Sequence, residues 1–60
     1  MKTYELRVLY YTGQGSSYLA RRIKAEGFTT AAGYFSFYDS ENKTVFVSPL
    51  NLTIIDKISE

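Results

Sequence analysis

The 60-residue chain has no cysteine and no histidine. The lack of cysteine excludes disulfides, and without cysteine or histidine the usual zinc, iron–sulfur and copper sites cannot be built. The commonest general acid–base group and the most nucleophilic side chain are also missing. The carboxylates show no spacing that indicates a paired acid and base. The sequence therefore predicts a protein that is not an enzyme and that carries no metal or cofactor.

Long hydrophobic runs are absent as well. No stretch reaches the roughly 18 apolar residues that a membrane-spanning helix needs. The segment from Met1 to Tyr11 alternates charged with apolar residues and has no continuous hydrophobic core, unlike a secretory signal. We expect a cytoplasmic protein that does not enter a membrane.

Aromatic residues, by contrast, are abundant: ten of the 60 residues are Tyr or Phe. A chain of this length forms one domain, residues 1–60, and buries only about 60% of the surface that its unfolded form exposes. Small domains usually gain support from disulfides, metals or self-association. With the first two excluded, the composition favours self-association or binding to a larger protein.

The N-terminal half predicts a strand followed by a helix. Residues Tyr4–Thr12 alternate in the manner of a strand, and the next three residues, Gly13–Gly15, interrupt it. A serine can then cap a helix over residues 17–26, which Gly27 would end. Leu19 and Ile23 would form its buried stripe.

The C-terminal half predicts three more strands. The segment Phe28–Asp39 is predicted to contain one strand, clearest over Gly33–Tyr38, which is aromatic on both faces. Residues 39–43 are rich in turn formers, and Thr44–Ser48 is β-prone up to Pro49. Residues 50–59 favour a fourth strand, with a short terminal helix as the alternative.

The predicted fold class is α+β, with a single helix packed on one face of a small, mostly antiparallel sheet in the order β-α-β-β-β. The first strand would lie parallel to one neighbour through a right-handed crossover. One helix covers only one face of such a sheet, so large apolar side chains should remain on the other. The expected uncovered residues are Leu9, Tyr11, Tyr34, Tyr38, Phe46 and Ile55.

These expectations favour a small, non-enzymatic protein-interaction module that binds and modulates a larger protein. An aromatic sheet face or an exposed strand edge would form a homodimer and also meet that target. Tyr, Phe and Arg are enriched at interface centres. The exposed side of the predicted helix would add further contacts. Such a module would suit a phage or mobile-element inhibitor of a host protein. The helix residues concerned are Tyr18, Arg21, Arg22 and Lys24.

Two alternatives remain open. The aromatic strand loosely resembles that of RNA-recognition domains, so the chain could bind single-stranded nucleic acid with help from the basic residues, although its net charge is only +1. The turn before the predicted helix could instead bind phosphate or a nucleotide through free N–H groups. The residues of that possible anion site are Gly13, Gly15, Ser16 and Ser17.

Overall fold

The computed structural model describes residues 1–60 and shows a chain built almost entirely of β-strands. A 3₁₀ turn, Leu50–Leu52, precedes the last strand, and no helix has the length and apolar character needed to cross a bilayer. The six strands are β1 (Lys2–Thr12), β2 (Gly15–Ala25), β3 (Gly27–Ala31), β4 (Tyr34–Tyr38), β5 (Thr44–Pro49) and β6 (Thr53–Ser59).

The strands form two three-stranded sheets, and the chain passes between them twice, from β2 to β3 and from β5 through the 3₁₀ turn to β6. The first sheet has the order β2-β1-β6 and the second the order β3-β4-β5, and every pairing is antiparallel. Only Glu26 separates β2 from β3, and the chain bends there. The Glu26 N–H donates to the Tyr38 carbonyl oxygen at 2.8 Å. One bent strand therefore passes from the first sheet to the second.

The predicted helix over residues 17–26 is wrong, because residues up to Ala25 lie in β2. Leu19 and Ile23 share a helical face, but their spacing of four residues also fits the period of two of a strand. As a strand, the segment pairs with β1 along its whole length, whereas a helix of ten residues is marginal in water. The α+β class and the order β-α-β-β-β are therefore corrected to an all-β fold of two small antiparallel sheets.

The strands predicted at Gly33–Tyr38 and Thr44–Ser48 are confirmed as β4 and β5, and the last segment forms β6 after its 3₁₀ turn. The expected parallel crossover is wrong, since β1 pairs antiparallel with both β2 and β6. The prediction of one strand within Phe28–Asp39 is corrected to two, because Gly27–Ala31 forms a strand of its own, β3. Once the helix is replaced by a strand, β1 connects to β2 by a hairpin and no parallel crossover is needed.

Two turns of the second sheet follow from local chemistry. Between β4 and β5, the Asp39 side-chain Oδ1 accepts hydrogen bonds from the N–H groups of Glu41 at 2.8 Å and Lys43 at 3.0 Å. Between β3 and β4, Ala32 and Gly33 both have positive φ, at 55° and 82°. A two-residue hairpin loop with positive φ at both positions matches the twist of its strands.

The core lies between the two sheets and is small, since only five of the 60 residues are buried. The rings of Tyr4 and Phe37 meet edge-on with centroids 5.2 Å apart, a favourable aromatic geometry. The buried Ser48 hydroxyl has no hydrogen-bond partner. The four buried apolar residues are Tyr4, Leu6, Ala25 and Phe37.

Two side chains expected on the uncovered face lie on the inner side instead. Phe46 and Ile55 pack against the core, and the Phe46 and Phe37 ring centroids are 6.1 Å apart. The second sheet, and not a helix, covers the first sheet. The side of β5 that was predicted to face solvent therefore faces the core. Val45 and Val47 consequently point outward and are 47% and 49% exposed.

Candidate interaction surfaces

A large part of the exposed apolar surface lies on the outer half of the β1–β2 hairpin. β6 pairs with β1 only from Thr3 to Val8, so residues 9–18 extend as a two-stranded ribbon without a third strand. We call residues 9–18 the hairpin arm. Tyr11 is 71% exposed and Tyr18 is 48% exposed. A free two-stranded ribbon is marginally stable in water, so this surface is suited to contact with something else.

The hairpin arm carries rings on both faces. Leu9 lies opposite Tyr18 on the outer face, and Tyr11 follows on the same side. Tyr10 lies on the inner face, the side that carries the core residues closer to the base of the hairpin. Leu19, at the root of the arm, shares that inner face and is half exposed. A binding partner could therefore contact apolar side chains on either face of the arm.

The tip of the arm is a hairpin turn and not the start of a helix. The Thr12 hydroxyl accepts a hydrogen bond from the Gln14 N–H at 3.2 Å and donates to the Gly15 carbonyl at 3.3 Å. The predicted anion site depended on the free N–H groups of a helix N-terminus, and that helix is absent. Its residues lie instead in the turn and the first part of β2: Gly13, Gly15, Ser16 and Ser17.

A second apolar surface covers the outside of β4 and β5, which we call the outer β4–β5 face. Tyr34 is 49% exposed and lies on the same side as Val47. Tyr38 is half-buried because its ring lies over Gly27, where an added Cβ would come within 2.9 Å of the Tyr38 Cζ. The absence of a side chain at Gly27 therefore leaves room for the Tyr38 ring to pack against the sheet.

The basic patch expected on one side of a helix is divided by the strand. Arg21 points to the inner side and its guanidinium lies over the Phe46 ring, 5.3 Å from the centroid. Arg22 and Lys24 point to the outer side, and Arg22 lies 3.6 Å from a Glu5 carboxylate oxygen. The three cations therefore do not form one continuous basic surface.

An ion pair that the sequence did not indicate lies beside the arm. Arg7 Nε and Nη2 donate to the two Asp56 oxygens at 2.8 and 2.9 Å, and the guanidinium lies over the Tyr18 ring. The hydrogen bond to Asp56 and then its charge raise the pKa of Arg7. A register shift at Glu5/Leu6 leaves Asp56 without a partner in the ladder. Arg7 and Asp56 are 49 residues apart in sequence, and the pairing of β1 with β6 brings them together.

Most predicted interaction residues lie at the surface. Leu9 and Tyr38 are half-buried, whereas the others, apart from the corrected Phe46 and Ile55, are exposed: Tyr11, Tyr18, Arg21, Arg22, Lys24 and Tyr34. The sequence reasoning missed Tyr10, Leu19, Val45 and Val47. The opposite phase for β5 would have placed both valines at the surface. Leu19 lies on the inner face of β2 with Ile23, so a period of two alone would not have predicted its exposure.

The rest of the surface has no enclosed pocket that resembles a ligand or active site. The one surface depression is open and lined largely by charged side chains that already pair with one another, among them Glu5, Arg7, Arg22 and Asp56. No three His, Cys, Asp or Glu residues are grouped so that they could hold a metal ion. Comparison with protein-family models, curated proteins and solved structures found no match to this chain.

Proposed function

We propose that this chain is a small, non-enzymatic protein-interaction module of the cytoplasm that self-associates and binds a larger protein through its exposed apolar surfaces. Its role would be to modulate that protein, as an inhibitor or a small regulatory subunit does. The observation that carries the proposal is the balance of apolar side chains. Eleven large ones are exposed, whereas four apolar residues are buried.

The total surface area supports the same proposal. The accessible surface is 4285 Å² for a mass of 6.9 kDa, whereas a compact monomer of that mass exposes about 4,000 Å². The chain measures 40 × 25 × 13 Å, and its long axis matches an 11-residue strand of about 37 Å. The protruding hairpin arm presents exposed apolar side chains to a partner.

A protein partner fits these surfaces better than nucleic acid does. Binding to a phosphate backbone needs several cations on one face. Here Arg21 points away from Arg22 and Lys24, while Arg7 is already paired with Asp56. Exposed aromatic rings beside aliphatic side chains, as on the outer β4–β5 face, are typical of the centre of a protein interface.

Sedimentation equilibrium over a concentration series tests self-association. The mean mass should rise above 6.9 kDa with concentration. It should change little between low and moderate salt, because apolar contacts are not screened. A mass that stays monomeric at every concentration would contradict this half of the proposal.

Binding to a larger protein is tested by comparing what immobilised variants retain from a cell extract. Replacing Tyr11 or Tyr34 with Ser should abolish retention of a specific protein, because each change removes an exposed ring from one of the two surfaces. Thr44→Ser, an exposed change on β5 that removes one methyl group, should leave retention unchanged. Equal retention by all the variants would show that neither apolar surface makes the contact.

A further inference from the structure

We infer that two copies of this chain pair through the free edge of β2, antiparallel and arm against arm, to form one continuous six-stranded sheet. The inference rests on the self-association in the proposed function and names the surface that produces it. The strand order across the dimer would be β6-β1-β2 followed by β2-β1-β6 of the second copy.

Of the four sheet edges, β2 is the one that lacks structural protection. Bulges, prolines and short length are the usual devices that prevent an edge from pairing with another chain. β6 contains the register shift that leaves Asp56 unpaired, and β5 has a shift near its start and ends at Pro49. β3 has only five residues. β2 runs for 11 residues without an interruption or a proline.

The backbone groups on this edge point outward. A two-residue hairpin loop makes Thr12 and Gly15 a hydrogen-bonded pair, after which bonded and non-bonded pairs alternate along the ladder. The even-numbered residues of β2 therefore direct their N–H and C=O groups away from β1. Glu26 has the same parity, and its N–H donates to Tyr38 on that side. The outward set in β2 is Ser16, Tyr18, Ala20, Arg22 and Lys24.

Charge distribution favours a second copy as the occupant. The half of β2 from Gly15 to Ala20 carries no charge, and the cations follow from Arg21 onward. With the twofold axis at Leu19, Arg21 lies opposite Ser17 of the second copy and Arg22 opposite Ser16. No like charges face each other in that register. An axis at Arg21 would place two arginines in direct opposition, which is unfavourable.

The same register covers apolar surface that the monomer leaves in water. Leu19 would meet its own copy at the axis, and Tyr18 would lie beside Ala20 of the second copy. Leu19 and Tyr18 are 50% and 48% exposed in the single chain. The pairing extends to Ile23 and stops before Ala25, after which β4 occupies this side of the strand. The outer β4–β5 face stays free for the larger protein.

A cysteine cross-link tests the pairing directly, since the chain has no cysteine of its own. Leu19 would form a non-hydrogen-bonded pair with its copy, with Cα atoms about 4.5 Å apart, a separation that a disulfide can span. Leu19→Cys should form a covalent dimer under mild oxidation. Val47→Cys is the matched control, because Val47 is 49% exposed on the opposite sheet. The expected rate ratio is at least about tenfold in favour of Leu19→Cys. Equal rates, or faster linkage of Val47→Cys, would overturn the inference.

A second variant removes an outward N–H without touching the β1 ladder. Ala20→Pro should weaken dimerisation about tenfold or more by sedimentation equilibrium, since both copies lose a hydrogen bond at the edge. Ala20→Thr keeps the N–H and should dimerise as the unmodified chain does. Near-UV circular dichroism of the tyrosines checks that both variants fold. A dimer that survives Ala20→Pro but is lost with Val47→Lys overturns the edge pairing and keeps the proposed function. A chain that is always monomeric overturns the edge pairing and self-association together.

Discussion

The two ends of the β1–β2 hairpin are made of similar residues but differ in burial. Tyr4 and Tyr10 lie on the same face of the same strand, yet Tyr4 is 2% exposed and Tyr10 is 44% exposed. At the base of the hairpin, β6 extends the sheet and the second sheet covers its inner face. The arm has neither. Burial in this chain is therefore decided by what lies across from a residue and not by the residue type.

The aromatic contacts at the base show what the arm lacks. The Tyr4 ring lies 5.2 Å from the Phe37 ring and 6.0 Å from the Phe28 ring, measured between centroids. Both partners come from the second sheet. No aromatic pair involves a tyrosine of the arm; Tyr18 instead meets the Arg7 guanidinium. The base should therefore determine stability, and the arm should be available for binding.

The largest expected difference comes from removing one ring at each end. Phe37→Ala creates a cavity in a fully buried site and should lower the free energy of unfolding by about 3–5 kcal/mol, enough to unfold much of a domain this small. Tyr11→Ala should change it by less than about 0.5 kcal/mol, since that ring is mostly in water. Urea unfolding followed by circular dichroism measures both. Similar losses in the two variants would contradict the comparison.

Hydrogen exchange reports how firmly the base and the arm of the hairpin are held along the β1–β2 ladder. The N–H groups of Tyr4 and Ile23 at the base and of Tyr10 and Ser17 in the arm all occupy the bonded pairs of the same two strands. In dilute monomer, the arm amides should exchange about tenfold to a hundredfold faster, because a ribbon opens locally without disrupting the core. Nuclear magnetic resonance resolves each amide. Equal protection at both ends would show that the arm is held as firmly as the base.

A matched pair of serine substitutions gives a smaller effect. Ser48 is 2% exposed and its hydroxyl has no partner, so Ser48→Ala should raise the free energy of unfolding by about 1 kcal/mol. Ser17→Ala removes an exposed hydroxyl in the arm and should leave stability nearly unchanged. Thermal unfolding of the two variants measures the difference. A loss of stability in Ser48→Ala would mean that the hydroxyl is satisfied in solution.

Shortening the arm should also have only a small effect on stability. Replacing residues 11–16 with Asn-Gly lets Tyr10 and Ser17 close a two-residue turn as a hydrogen-bonded pair. The shortened segment contains no buried residue, so the free energy of unfolding should change by less than about 1 kcal/mol. Urea unfolding and near-UV circular dichroism test this together. A shortened chain that fails to fold would show that the arm supports the base.

The strands that the sequence did identify were marked by alternation bounded by turn residues. β1, β4 and β5 were predicted within a few residues of their ends, and the Asp39–Lys43 turn was marked by its composition. The segment over residues 17–26 was misread because Leu19 and Ile23 fit both a helical and a strand period. Pairing with β1 decides between the two, and a single-sequence pattern does not contain that information.

The interaction surfaces were only partly predictable for a related reason. An excess of large apolar side chains over the available cover follows from composition, and Tyr11 and Tyr34 were placed at the surface. Phe46 was predicted to be exposed and Val47 to be covered, whereas the structure shows the reverse. The error arose because a helix, and not the second sheet, was expected to cover the core. The contact of Arg7 with Asp56 depends on a register shift between two distant strands, and alternation alone does not locate such a shift.

Glu26 is the single residue between β2 and β3, and this short connection affects how the molecule unfolds. Because one continuous backbone segment belongs to both sheets, and Ala25 at its bend is buried in the core that they share, neither sheet can separate from the other and keep its packing. The chain should therefore lose its structure cooperatively, apart from fraying of the arm. In scanning calorimetry, the van't Hoff and calorimetric enthalpies should agree.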